Sequence, residues 1–349
     1  MSESEGKLEN AMNNSKILKK LAVVLLIPIG IILVHFSSTQ PALVEALYSE
    51  KLYRVIGQPI SLITGIFPFS LAELIVFFVP AAIVIYTLTT AIKFFFHARG
   101  SISKLLNYIL NLLMFVSIAF FLFISIWGLN YYRLPFASIA GLDVRPSSVV
   151  ELEEVCEVLI SNANALRSKV SQDSDGVMDI KENKRQILKR CIKGYERASL
   201  IYPQLGGKYG TPKPVYFSRL MSYTGISGIY FPFTAEANVN VDVPDSMIPC
   251  TASHEMAHQR GFAREDEANY IAYLTCVAHP DADFQYSGTL LALINAMNAL
   301  YNGDSREYFK LSEGYSDGIV RDLKAIDAYW KQYEGPVEKT SDRINNAYL

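Results

Sequence analysis

Three long apolar runs crowd into residues 17–129 of this 349-residue chain, and they limit its fold more than any other feature. A stretch of about 20 apolar residues crosses a bilayer as a helix, because a helix satisfies every backbone N–H and C=O without water. The runs are "LAVVLLIPIGIILVHF" (Leu21 to Phe36), Leu74 to Ile92, and Leu106 to Leu129. The first reaches full length if Ile17 and Leu18 join it while Lys19 and Lys20 snorkel to the headgroups. Ser70 and Glu73 read as a capping box opening the second, and Pro80 predicts a kink in it. Trp127, Tyr131 and Tyr132 close the third as an aromatic belt. Transmembrane helices are therefore expected at about 17–36, 72–92 and 105–129, within a membrane domain of residues 1–134.

Composition agrees, since half the residues are hydrophobic and 19% are charged. A net charge of −2 supplies no basic field for nucleic acid. The partners expected are the lipid bilayer and a peptide or protein substrate.

Lysine and arginine placement sets the orientation. Lys7, Lys16, Lys19 and Lys20 precede the first span, and Lys93, Arg99 and Lys104 fall between the second and third. The loop between spans one and two holds only Lys51 and Arg54. The positive-inside rule then makes the N-terminus cytoplasmic and residues 135–349 an extracytoplasmic domain of a multi-pass cell-membrane protein. The stretch "HFSSTQPA" shows no signal-peptidase pattern, so the first run reads as an uncleaved anchor. In the loop from Ser37 to Phe69, Leu43, Leu47 and Ile56 alternate with charges. That pattern suits an amphipathic helix on the outer membrane surface, or a helix packed on the soluble domain.

The soluble half reads as mainly helical with a small sheet. Ser148 and Glu151 form a capping box at the start of one helix, and a second covers roughly Lys181 to Leu200. After a Gly- and Pro-rich break, "PVYFSRL" and "GIYFPFTAEANVNVDVP" read as two or three strands. There Val239, Val241 and Val243 alternate with Asn238, Asn240 and Asp242, the period of a half-buried strand. The outermost strand could hold an extended peptide by backbone hydrogen bonds, or be a plain structural hairpin. Helices follow at about Arg264 to Val277, Gly288 to Tyr301 and Ser316 to Tyr333.

The chemistry sits in "CTASHEMAHQRGFAREDEAN", Cys250 to Asn269. His254 and His258 are one helical turn apart and can aim both imidazoles at one ion. Glu255 lies about 100° round the helix, at the rim, where it can act as base on a metal-activated water. Gly261 can end the helix and turn the chain back. A hydrolytic zinc centre needs a third protein ligand. Arg264 cannot serve, because guanidinium has no lone pair to give. Glu265 can, with Glu267 as its chief rival and Asp266 behind it. Tyr230, His279, Tyr223 and Arg260 are candidates to stabilise the oxyanion. Cys156, Cys191, Cys250 and Cys276 permit two disulfides, 156–191 and 250–276, or four buried thiols.

The string "EDEAN" resembles the E-x-x-A-D string of gluzincin metallopeptidases. That resemblance implies Glu265 as third ligand to one Zn2+ and Asn269 as the residue holding a ligand histidine. Asparagine for aspartate keeps the acceptor and loses a charge. "PFSLAEL", "GIYFPFTAEANVN", "HEMAHQRGFAREDEANYIAYL" and "YWKQYEGPVEK" together resemble a bacterial family of membrane-anchored, zincin-like proteins defined as a domain of unknown function. The fold expected is thus three N-terminal transmembrane helices plus a mainly α (α+β) zincin-like domain with a small β-sheet before the motif helix. The function expected is a zinc metallopeptidase using a zinc-activated water with Glu255 as general base. A non-catalytic receptor or scaffold keeping the fold, and a zinc hydrolase of a non-peptide amide such as a cell-wall component, are the alternatives.

Overall fold

The computed structural model describes residues 15–96 and 101–348, so Lys7 and Arg99 lie outside the described residues. The described chain is mainly helical and divides into two compact units. One runs up to Ser49 and resumes over Glu73–Arg133; the other comprises Glu50–Ala72 and everything from Leu134.

The first unit holds the apolar helices. Three are long and apolar enough to cross a membrane: Ser15–Ser38, Leu71–Phe96 and Lys104–Ile126. They are α1 (Ser15–Ser38), α3 (Leu71–Phe96) and α4 (Ser101–Ile126) here; α2 belongs to the other unit. Their side chains are largely exposed, as an apolar solvent requires. α3 runs through Pro80 as one helix. α1 packs on α4, where Gly30 leaves room for the Phe120 ring. Lys20 Nζ donates to Asn107 Oδ1 at 2.6 Å and to Asn111 Oδ1 at 2.7 Å. Past the third span the chain forms a short 3-10 turn, Gly128–Tyr132, then Arg133, whose buried guanidinium forks onto Glu45 at 2.6 and 2.8 Å.

The second unit includes the end of the first loop. Helix α2 (Tyr53–Gly65) joins it, while Leu43 and Leu47 fall in the first unit and are exposed. Tyr53 Oη donates to the Gln259 carbonyl at 2.8 Å, and Ser61 Oγ accepts from Gln259 Nε2 at 2.7 Å. The first N–H groups of α3 are also held within this unit. Ala72 N and Leu71 N donate to the Glu236 carboxylate at 2.8 and 3.3 Å, where a helix start favours negative charge. Ser70 Oγ donates to Asn238 Oδ1.

The remaining helices are α5 (Val149–Arg167), α6 (Lys184–Arg190), α7 (Ile192–Ala198), α8 (Ile248–Gln259), α9 (Glu265–Ala278), α10 (Ala282–Gly303) and α11 (Asp317–Lys331), with shorter ones between and after them. α5 begins at the expected capping box, with both reciprocal bonds between Ser148 and Glu151 present. The single helix expected over 181–200 is two, hinged at Cys191. All four cysteines are buried free thiols, the second of the two alternatives the sequence left open. Burial pushes the Cys191, Cys250 and Cys276 thiols up, which keeps them protonated and inert.

Three strands form a sheet in the order β1 (Lys213–Pro214), β3 (Glu236–Val239), β2 (Gly228–Phe231). β3 is parallel to β1 and antiparallel to β2. The valine–asparagine alternation does not mark a half-exposed strand. β3 ends at Val239, and Asn238 and Asn240 are as buried as their neighbours. Asn240 Nδ2 donates to Ser222 Oγ at 2.9 Å and to the Ile226 carbonyl at 3.1 Å, which makes that burial tolerable. Beneath the sheet, Lys213 and Glu236 form a buried ion pair, and the Lys213 ammonium also donates to the Thr64 and Phe69 carbonyls. The core of the unit lies between this sheet and α8, α9 and α10, with Met256, Phe262, Ile271 and Phe284 fully enclosed.

Candidate metal centre

Helix α8 is almost entirely buried, which is unusual for a segment carrying two histidines and a glutamate. Pro249 sits in its first turn, where a missing N–H costs nothing. Gly261 ends it with φ of 83°, a conformation an L side chain resists. The chain reverses there, with Gly261 N bonded to the His258 carbonyl at 2.9 Å and Phe262 N to the Ala257 carbonyl at 3.2 Å. α9 then begins at Glu265, back alongside α8.

This reversal brings His254, His258 and Glu265 together, with one ligand atom of each within 4.8 Å of the others. The two Nε2 atoms are 3.0 Å apart. Glu265 places Oε2 at 3.1 Å from His254 Nε2 and Oε1 at 3.4 Å from His258 Nε2. The opposite ring nitrogens are each held. His254 Nδ1 lies 2.9 Å from Asn269 Oδ1, and His258 Nδ1 lies 2.7 Å from the Phe262 carbonyl. A carbonyl oxygen only accepts, so Nδ1 of His258 is the protonated nitrogen, and the amide oxygen assigns His254 likewise. Both Nε2 lone pairs then face each other and a carboxylate. Three acceptors converging with no donor among them is the chemistry of a cation site, and it fits Zn2+ by ligand type.

The charges respond to this crowding. Burial alone would raise Glu265, yet the two imidazoles beside it hold it well below the usual carboxylate range. Burial pulls His258 down, but Glu265 and the charge of Glu255 outweigh it and leave the ring above its ordinary value. Burial pushes Glu255 up against the pull of both histidines. Its Oε2 is buried and makes no hydrogen bond. The Glu255 carboxyl also lies under Gly228 of β2, where a Cβ would stand 2.5 Å from Oε1.

The other candidates are occupied elsewhere. The Glu267 carboxylate accepts from Phe136 N at 2.9 Å and from Arg264 at 2.8 Å, and does not join the cluster. Asp266 accepts from Glu267 N at 2.9 Å. Arg260 is buried between the Tyr195 and Tyr209 rings and donates to the Leu205 and Met256 carbonyls. His279 is stacked on Phe284 and bonded through both ring nitrogens to backbone. Tyr223 is exposed and packs edge-on to Tyr333. Tyr230 lies on β2, with its hydroxyl 3.1 Å from that of Tyr53 and its backbone bonded to Glu255.

Sequence reasoning missed Gly228, the Phe262 carbonyl and Tyr53. A glycine inside an aromatic strand is a signal of close approach and pointed to Gly228. A backbone carbonyl leaves no mark in a sequence, and Tyr53 is 206 residues from Gln259.

Fold and site together define a chain with three membrane-length apolar helices and a mainly helical unit bearing a His–His–Glu cluster. It belongs to the family described as protein of unknown function (DUF3810), which matches residues 48–349. No curated protein and no solved structure matches the chain.

Proposed function

We propose that this chain is a membrane-anchored, zinc-dependent metallopeptidase whose catalytic unit faces away from the cytoplasm. The observation that carries the reading is the convergence of His254 Nε2, His258 Nε2 and the Glu265 carboxylate, with both Nδ1 atoms turned outward to acceptors. A Zn2+ ion held by these three residues would polarise a substrate carbonyl and lower the pKa of a water.

The chain's own residues supply the rest. Glu255 carries an unpaired, buried carboxylate oxygen, as a general base must. It takes a proton from the attacking water and returns it to the leaving amine. Burial raises its affinity for that proton. β2 lies at the edge of the sheet directly over Glu255, so an extended peptide can pair with it and present its carbonyl there. The functional groups of Tyr230, Arg260 and His279 are each engaged with other partners, so the oxyanion role is assigned to none of them. The orientation follows the lysine distribution, with the N-terminus cytoplasmic.

The test compares purified wild type with Glu255→Gln. One zinc per chain in both, with cleavage of a peptide library by wild type only, is the expected result. Metal without Glu255-dependent cleavage would make the chain a receptor or scaffold. Cleavage of cell-wall fragments but not of peptides would move it to non-peptide amides.

A further inference from the structure

We propose that the membrane unit binds the headgroup of an anionic phospholipid at the shared end of α1 and α4, through Lys16, Lys20 and Lys104. Lys20 is the centre of the site. Two of its three ammonium hydrogens go to Asn107 Oδ1 and Asn111 Oδ1, and Asn111 Nδ2 in turn donates to Tyr86 Oη at 2.8 Å. The cation is thus fixed by residues from α3 and α4, with one hydrogen left to give. Among the described residues no carboxylate pairs with it; its partners there are the two neutral amides.

The neighbours add charge of the same sign. α1 and α4 run in parallel, since Lys20 meets Asn107 at one level and Gly30 meets Phe120 further along. Lys16 lies one turn before Lys20, and Lys104 three residues before Asn107. Both are exposed, and neither stretch, 15–20 or 101–111, contains an acid. Three ammonium groups of like charge on adjacent helices repel unless an anion joins them. Lys20 immediately precedes the apolar run that begins at Leu21, and Lys104 lies two residues before the run that begins at Leu106. The ends of membrane-length apolar runs are where phospholipid headgroups stand, and an anionic headgroup there would meet these ammonium groups.

The experiment uses the full chain purified in detergent, titrated with phosphatidylglycerol or phosphatidylcholine and read by native mass spectrometry. Wild type is expected to retain phosphatidylglycerol about ten- to thirtyfold better than phosphatidylcholine. Lys16→Gln with Lys104→Gln should remove most of that preference while leaving the Lys20 contacts and the melting temperature unchanged. Equal retention of the two lipids by wild type overturns the proposal, as does an unchanged preference in the folded double variant. Displacement of the lipid by millimolar inorganic phosphate would also overturn it, making the site one for a soluble anion.

Discussion

Gly228 contributes to the candidate centre by having no side chain. A methyl group there would press on Glu255 Oε1 at 2.5 Å, on Glu255 Cγ at 2.8 Å and on Thr251 Cγ2 at 2.8 Å. Gly228→Ala should therefore displace Glu255 without touching the ligand set. Turnover of any peptide the wild type cleaves should fall by about two orders of magnitude, with metal content intact. Loss of metal together with turnover would show that Gly228 serves the fold instead. Asn269 allows a separate test, because it acts on the imidazole and not on the ion. Asn269→Ala should weaken Zn2+ binding about 10- to 100-fold in a chelator competition, while Asn269→Asp should hold it. Equal affinity in all three proteins would remove Asn269 from the support of the site.

At the scale of elements, buried charge joins the helices around the centre. Asp322 on α11 is fully buried and accepts from Arg167 Nε at 2.6 Å, from Tyr286 Oη at 2.6 Å and from Met178 N at 2.8 Å. It thereby ties α5, α10 and α11 to one point. Asp322→Ala strands the Arg167 guanidinium in the core and should cost about 3–5 kcal/mol, measured by denaturant unfolding. His279 ties α9 to the end of α6, with one nitrogen on the Arg190 carbonyl. Burial holds it below its ordinary value of 6.5, so the folded chain keeps it neutral. As pH falls through 6.5 the unfolded chain gains a proton that the folded one refuses, and stability drops toward the lower folded value. Glu255 and His258 are both raised and act in the opposite sense, so the test is a difference. Wild type should lose more melting temperature than His279→Gln between pH 7.5 and pH 5. Parallel losses would mean that folding does not lower the proton affinity of His279.

These elements differ in how plainly the sequence announced them. The spans and α8 were legible because period and length are local properties, readable from a window of residues. The Ser148 capping box was legible for the same reason. The valine–asparagine stretch misled because burial of Asn238 and Asn240 depends on partners such as Ser70 and Ser222, far away in sequence. The buried pair of Lys213 with Glu236 was silent too, since each residue alone looks like ordinary surface. In the centre, the grouping of His254, His258 and Glu265 follows from spacing along two adjacent helices. The outward bonds that fix the rings required the Gly261 reversal to be seen in space.

For the whole molecule, the open question of consequence is the side of the membrane on which the His–His–Glu cluster works. The burial of all four native cysteines makes a direct measurement practical, because they give an impermeant maleimide little to react with. Leu200 follows α7 in the second unit and is 83% exposed, so Leu200→Cys offers one accessible thiol. Ser15→Cys does the same before the first apolar run, which begins at Leu21. An odd number of spans must put these two positions on opposite sides, whatever the orientation. In intact spheroplasts the reagent should label Leu200→Cys at once and Ser15→Cys only after permeabilisation. The reverse order would place the cluster in the reducing cytoplasm and restrict its substrates to cytoplasmic chains. Labelling of both positions in intact cells would mean that one of the three apolar helices does not cross.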